Sequence, residues 1–240
     1  ERQSSAAARP KQADLGITAV QRGNIVHRVC EQITDPAHLS ELIEYAAAME
    51  GIELDPVQAG LIKRIIEPYL ASPFFLRLAG GRKEWQIYRE KDFLLPAGEF
   101  LLNGLVDQVF VAADGLEVVD FKSNWIKREQ VEKVGESYLV QLRLYAWAMA
   151  RRFGVRARHS QAYFLIPNEI YDLPAAFLDA DKTEVWVSEI CRSIVSNAAL
   201  GSEAFPAAAG CSHCVLGAPP AEPILFGKER EDELAWAEEE

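Results

Sequence analysis

The stretch 104-GLVDQVFVAADGLEVVDFKS-123 holds two apolar, β-branched runs on either side of a turn signal, and both runs carry acids where a core strand should be apolar. Leu105, Val106, Val109 and Phe110 form the first run, and Leu116, Val118 and Val119 the second. Ala113-Asp114-Gly115 between them supplies a hairpin turn, so the strands are antiparallel neighbours. Side chains alternate across a strand, which puts Asp107 with Leu105 and Val109, and Asp120 and Lys122 with Val118. With the turn near residue 114, position 107 pairs with roughly 121, and Asp120 becomes a neighbour of Asp107.

Two carboxylates that close repel each other unless one takes a proton or a cation lies between them. Oxygen ligands on two strands suit Mg²⁺ or Mn²⁺. Lys122, two residues past Asp120 on the same side, could then orient a water or stabilise charge on a phosphoryl oxygen. Plainer readings exist for the same residues: a surface aspartate at 107, and an ion pair between Asp120 and Lys122 at a strand end. These residues alone leave both open.

Working outward, "EWQIYREKDFLL" is a further strand-like run, joined to the next by Pro96-Ala97-Gly98. Upstream the period is helical: Val20, Ile25, Val26, Val29 and Ile33 share a rhythm, Asp35-Pro36 opens a helix that stops at Gly51, and Asp55-Pro56 opens another. Downstream come the helical "YLVQLRLYAWAMARRF" ended by Gly154, a strand in "SQAYFLIP", a shorter extended piece near "EIYDL", and a last helix in "KTEVWVSEICRSIVSNAAL". This order predicts a mixed α/β fold, a central mixed β-sheet flanked by helices and preceded by a helical segment. Residues 1–15 read as linker, 16–220 as one domain, and 221–240 as an acidic, flexible tail.

The chain has 240 residues, 49% hydrophobic and 25% charged, which supports a sizeable core. No apolar run is long enough to cross a bilayer and no signal peptide is apparent, so no membrane partner is expected. The polar start without an initiator Met reads as a piece of a longer chain. Four cysteines, Cys30, Cys191, Cys211 and Cys214, are too few and too unevenly placed for a secreted disulfide framework, and the default compartment is the cytoplasm. The net charge is −11, but Glu222–Glu240 holds eight acids against two bases. The remainder still lacks the basic excess of an autonomous DNA binder.

Two more polar sets stand out. In "GNIVHRVCE" Gly23, His27 and Glu31 recur every fourth residue on one helix face, where His27 and Glu31 could hydrogen-bond. In "QLRLYAWAM" Gln141 and Tyr145 form a polar stripe on an otherwise apolar helix. Such a stripe could contact a nucleic-acid backbone or cap the sheet.

Taken in order, G-x-x-x-H-x-x-x-E (Gly23, His27, Glu31), G-x-x-D (Gly104, Asp107), V-D-F-K (Val119, Asp120, Phe121, Lys122) and Q-x-x-x-Y (Gln141, Tyr145) resemble the motif series of the RecB-family nuclease domain, within the PD-(D/E)XK phosphodiesterases. The resemblance runs from about residue 20 to 216 and is strongest to the C-terminal nuclease domain of UvrD-type helicase subunits of the AddA and RecB type. It implies a restriction-endonuclease-like core with divalent metal held by His27, Asp107, Asp120 and the main-chain carbonyl of Phe121, and with Lys122 as catalytic lysine beside Asp120 and Asp107. Gln141, Tyr145, Glu31 and Glu90 take supporting or DNA-contacting places. The activity implied is Mg²⁺- or Mn²⁺-dependent hydrolysis of DNA phosphodiesters, exonucleolytic or endonucleolytic. It would act with a helicase module, in the same chain or in a partner helicase-nuclease subunit, during double-strand-break processing and recombinational repair. Alternatives are a catalytically silent nuclease fold kept for DNA binding or assembly, and a stand-alone exonuclease.

Some relatives carry an iron–sulfur cluster on four cysteines. Here "CSHC" supplies Cys211 and Cys214, with no third cysteine soon after, while Cys30 lies inside the His27 motif and Cys191 on the last helix. That spacing argues against a cluster. The charge balance predicts that the 240-residue chain alone binds DNA no more tightly than non-specific binders do. Fluorescence anisotropy should give a dissociation constant of about 1 μM or weaker at 0.15 M salt. Nanomolar binding would contradict the need for a partner that delivers the strand.

Overall fold

In the computed structural model the described residues are 16–79 and 85–199. The linker 1–15, Cys211, Cys214 and the acidic tail lie outside them.

Four helices come first. α1 (Ala19–Gln32) opens on Thr18, whose hydroxyl accepts from the Gln21 N–H at 3.1 Å while Gln21 Oε1 accepts from the Thr18 N–H at 2.9 Å. Asp35-Pro36 makes one 3₁₀ turn (Pro36–His38) before α2 (Leu39–Met49), and Gly51, at φ 69°, follows that helix in the left-handed region. Asp55 caps α3 (Pro56–Leu70) by accepting from the N–H groups of Val57 and Gln58. A short α4 (Pro73–Ala79), not expected from the sequence, follows α3 after a break. The break is made by Ser72, whose hydroxyl donates to the Tyr69 carbonyl and accepts from the Phe75 N–H.

The mixed sheet expected from the element order is present: β1 (Gln86–Ala97), β2 (Phe100–Ala112), β3 (Gly115–Lys122), β4 (Ala157–Phe164) and β5 (Glu169–Asp172), in that spatial order. Neighbours are antiparallel except β3 and β4, which are parallel because α5 (Val131–Glu136) and α6 (Leu139–Phe153) carry the chain back between them. Gly154, at φ 67°, ends α6, and α7 (Ala180–Ala199) closes the described chain. The first hairpin turns at Gly98-Glu99, with Ala97 paired to Phe100, not at Pro96-Ala97-Gly98. Gly98 supplies the positive φ of 63°, and Pro96 is tolerated inside β1 because β1 is an edge strand. The six-residue α5 had no clear signal in the sequence.

Each sheet face buries its own layer. Phe110, Val119, Phe121 and Tyr163 face α1–α4, where Tyr69 sits edge-on to both Phe121 and Tyr163 with ring centroids 5.4 and 5.2 Å away. Val109, Leu116 and Val118 face α6 and α7, against Ala146, Trp147, Met149 and Val187. The polar positions therefore sit where both helical layers meet the same strand ends.

The β2–β3 ladder runs from Ala112↔Gly115 to Gln108↔Val119. One step further, that register sets Asp107 opposite Asp120, a residue away from the partner the turn position suggested. There β2 leaves β3 and continues only with β1, to Phe100. Gly104 is needed on this extension, since a Cβ would lie 2.5 Å from Cζ of Phe93, its cross-strand partner. Gly104→Ala should cost about 1–3 kcal/mol in urea unfolding by overpacking. Adding Phe93→Leu should recover part of that loss.

Candidate metal centre and active site

Where the β2–β3 ladder stops, a side chain replaces the missing backbone partner. Asp107 Oδ2 accepts from the Phe121 N–H at 2.7 Å, and His27 Nδ1 lies 3.4 Å from the same oxygen. His27 reaches this point because Ile25, Val26, Val29 and Cys30 bury the inner face of α1 against Phe110, Val119 and Phe121. Its ring stands edge-on to Phe121 at 6.5 Å. The partner of His27 Nδ1 is thus Asp107, not Glu31 four residues along its own helix. Asp107 and His27 remain 15% and 26% exposed, so the pair is open to solvent on one side.

Glu31 is buried in the same corner. One ligand atom from each of His27, Glu31 and Asp107 lies within 4.8 Å of the others. Gln108, next to Asp107 and itself buried, donates from Nε2 to the Glu31 carbonyl at 3.4 Å, tying the end of α1 to β2. Glu90 lies between the pairs Arg89↔Gln108 and Lys91↔Val106, hence across from Asp107 on the other side of β2. It adopts φ 44°, a conformation that costs a non-glycine residue about 1–2 kcal/mol. The backbone strain of the edge strand thus falls beside Asp107.

Asp120 and Lys122 face α6. Lys122 Nζ lies 2.6 Å from Asp120 Oδ2 and donates to Gln141 Oε1 at 3.3 Å. Gln141 Nε2 donates to the Tyr145 hydroxyl at 2.9 Å and approaches Asp120 Oδ1 at 3.5 Å. The α6 stripe read from the sequence therefore lies against the strand-end pair. Tyr138, at the N-cap of α6, places its ring over Lys122 Nζ at 4.3 Å, and its hydroxyl donates to Asn124 Oδ1 at 3.3 Å. Sequence reasoning passed over Tyr138, Asn124 and Gln108. Tyr138 precedes Gln141 by three, a helical neighbour spacing that could have drawn attention to it.

The electrostatics follow from too many acids in a buried corner. Burial, with Asp107 beside it, pushes Glu31 up to about 8. Burial and the charge of Asp107 push Asp120 up to about 6, against the pull of Lys122. Asp107 itself is held below its usual range: burial opposes this, but the contacts with His27 and the Phe121 N–H outweigh it. Burial lowers His27, yet Asp107 and Asp120 leave it raised overall. For Lys122 the burial cost is exceeded by Asp120, so it is raised and stays protonated. The His27 imidazole and the carboxylates of Glu31 and Asp107 at these separations, with more negative charge nearby than the corner can hold ionised, fit a hard divalent cation, whereas Asp120 lies outside that group, paired with Lys122.

Cys30 is part of the core, its thiol pushed well up by burial, and Cys191 is half-buried on α7. No helix among the described residues is long and apolar enough to cross a membrane.

The sequence profile of the PD-(D/E)XK nuclease superfamily matches residues 4–217, and the mixed sheet flanked by helices is consistent with that fold. The chain belongs to that superfamily. It is similar to an ATP-dependent helicase/nuclease subunit of Alkaliphilus metalliredigens, 26% identical over 166 residues, covering 61% of this chain and 14% of the relative. The corresponding helicase/nuclease protein of Acetivibrio thermocellus is 27% identical over 161 residues (62% and 13%), and that of Clostridium perfringens 22% over 175 (64% and 14%). The chain thus spans only a small part of the length of the curated relatives it matches.

The raised carboxyls set a pH dependence. Glu31 and Asp120 hold protons in the folded state that the unfolded chain releases near pH 4 to 4.5, and His27 acts in the same direction. Without metal, stability should therefore fall as pH rises from about 5 to about 8. Saturating Mg²⁺ should flatten that fall. Urea unfolding at a series of pH values checks it; a rise over this range without metal would contradict the assignment.

Proposed function

We propose that this chain is a divalent-metal-dependent nuclease that hydrolyses DNA phosphodiesters, using Mg²⁺ or Mn²⁺. The observation that carries the reading is the meeting of Asp107 and Asp120 at the ends of two paired strands, with His27 on one side and Lys122 on the other. His27, Asp107 and Asp120 would hold the ion, with the Phe121 carbonyl, and Glu31 is close enough to join them. When bound, such an ion lowers the pKa of water and neutralises charge on a scissile phosphate.

The protein's own groups have separate tasks. Lys122 cannot act as a general base while its ammonium stays protonated. It serves as a donor, to a phosphate oxygen or to the attacking water. Gln141 fixes it from one side and is itself held by Tyr145. Asp107 is kept ionised by the Phe121 N–H and His27, ready to bind a cation at neutral pH. A silent nuclease fold is disfavoured because these groups are present and mutually oriented.

The likeness to helicase/nuclease proteins supports a wider setting in which a helicase module, in the same polypeptide or a partner subunit, feeds DNA to this domain during processing of double-strand breaks. The modest cation content agrees with delivery by another module, and the cytoplasm, with its DNA, is the compartment proposed.

Lys122→Ala, Asp107→Asn and Asp120→Ala should each lower Mg²⁺-dependent cleavage by about 10²–10³ or more, while unfolding stays cooperative. Single- and double-stranded DNA labelled at either end reads both rate and polarity. Cleavage by Asp120→Ala at the wild-type rate would sink the site.

A further inference from the structure

The ammonium of Lys122 is held on three sides by different chemistry. Asp120 Oδ2 lies 2.6 Å away, Gln141 Oε1 accepts at 3.3 Å, and the third side is the face of Tyr138, whose centroid is 4.3 Å from Nζ. The Tyr138 ring is itself fixed. Its hydroxyl donates to Asn124, which is 5% exposed and two residues past Lys122, and the ring packs on Phe164 at 6.0 Å. A lysine ammonium has three N–H donors. Asp120 and Gln141 take two of them. The third N–H is the one turned to the ring, whose quadrupole attracts the cation but binds that N–H more weakly than a carboxylate lone pair would.

We propose that Tyr138 is a positioning residue for the cleavage step: its ring face keeps the Lys122 ammonium in place through a contact weak enough for a substrate oxygen to displace at the third N–H. A carboxylate at this position would compete with the substrate for that donor, and an aliphatic side chain would fill the space without attracting the charge. The inference rests on the nuclease reading given above and specifies how its lysine is held.

The test uses the 240-residue chain, cleaving saturating DNA in Mg²⁺ under single-turnover conditions. Tyr138→Phe keeps the ring and should cut within about threefold of wild type, whereas Tyr138→Leu should lose about tenfold in rate with little change in KM. Replacing Tyr138 by phenylalanines of increasing fluorination preserves shape and weakens the π-face, so the logarithm of the rate should fall stepwise with ring potential. A purely structural ring would show no such slope. The Lys122 ε-methylene protons, shifted upfield by the ring in NMR, should return to ordinary positions in Tyr138→Leu. A rate flat across the fluorinated series, or Tyr138→Leu cutting at the wild-type rate, overturns the proposal. Lys122→Ala separates the two failures: if it also cuts normally the nuclease site itself is wrong, and if it is inactive while the series is flat only the role of Tyr138 is lost.

Discussion

At the point where β2 parts from β3, the Phe121 N–H has no β2 backbone partner and donates instead to the carboxylate of Asp107. That bond sets the geometry of everything around it. It fixes Asp107 at the strand fork, where the register places Asp120 across from it, and it leaves His27 within reach from α1. An unmet N–H at a buried strand end costs roughly 1–3 kcal/mol, so an acceptor is required there whatever the function. Using a carboxylate meets the requirement with a group that also binds cations.

The two helical layers then act as the walls of the fork. On one side α1 is pressed against Phe110, Val119 and Phe121 by a fully buried row, so His27 and Glu31 arrive with little freedom. On the other, α6 is anchored by Leu142, Ala146 and Trp147, which turns Gln141 and Tyr145 toward Lys122. The packing that stabilises the domain is thus the same packing that orients the site. Of the described non-glycine residues with a positive φ, Glu90 and Asn168, it is Glu90, on the edge strand, that lies beside the site.

Charge distribution separates the roles of similar residues. Asp107 and Asp120 sit on neighbouring strands, yet one is held ionised by donors and the other is pushed toward the neutral form by burial and by the first. Glu31 goes further in the same direction, because the pull of His27 and Arg28 offsets its burial only in part. A cation beside Asp107 and Glu31, the two acids grouped with His27, would relieve both, which is the physical argument for a metal in this corner.

The sequence by itself determined the element types, the mixed sheet and the pairing of the two acid-bearing strands, because a two-residue periodicity and a short turn leave antiparallel neighbours as the simple outcome. It also singled out His27, Glu31, Gln141 and Tyr145, since residues four apart on a helix share a face. It put Asp107 one residue out of register and missed α4 and α5, because turn geometry and a single serine hydroxyl decide such boundaries locally. It left Asp120 and Lys122 poised between an ion pair and a site, and the structure shows the ion pair formed inside a cluster that has further acids to neutralise. Only the tertiary structure decided that His27 turns to Asp107, that Glu31 lies within ligand reach, and that Tyr138 covers the lysine. Those contacts join helices to strands far apart in the chain, and their distances are set by how the two layers pack on the sheet, which no local periodicity encodes.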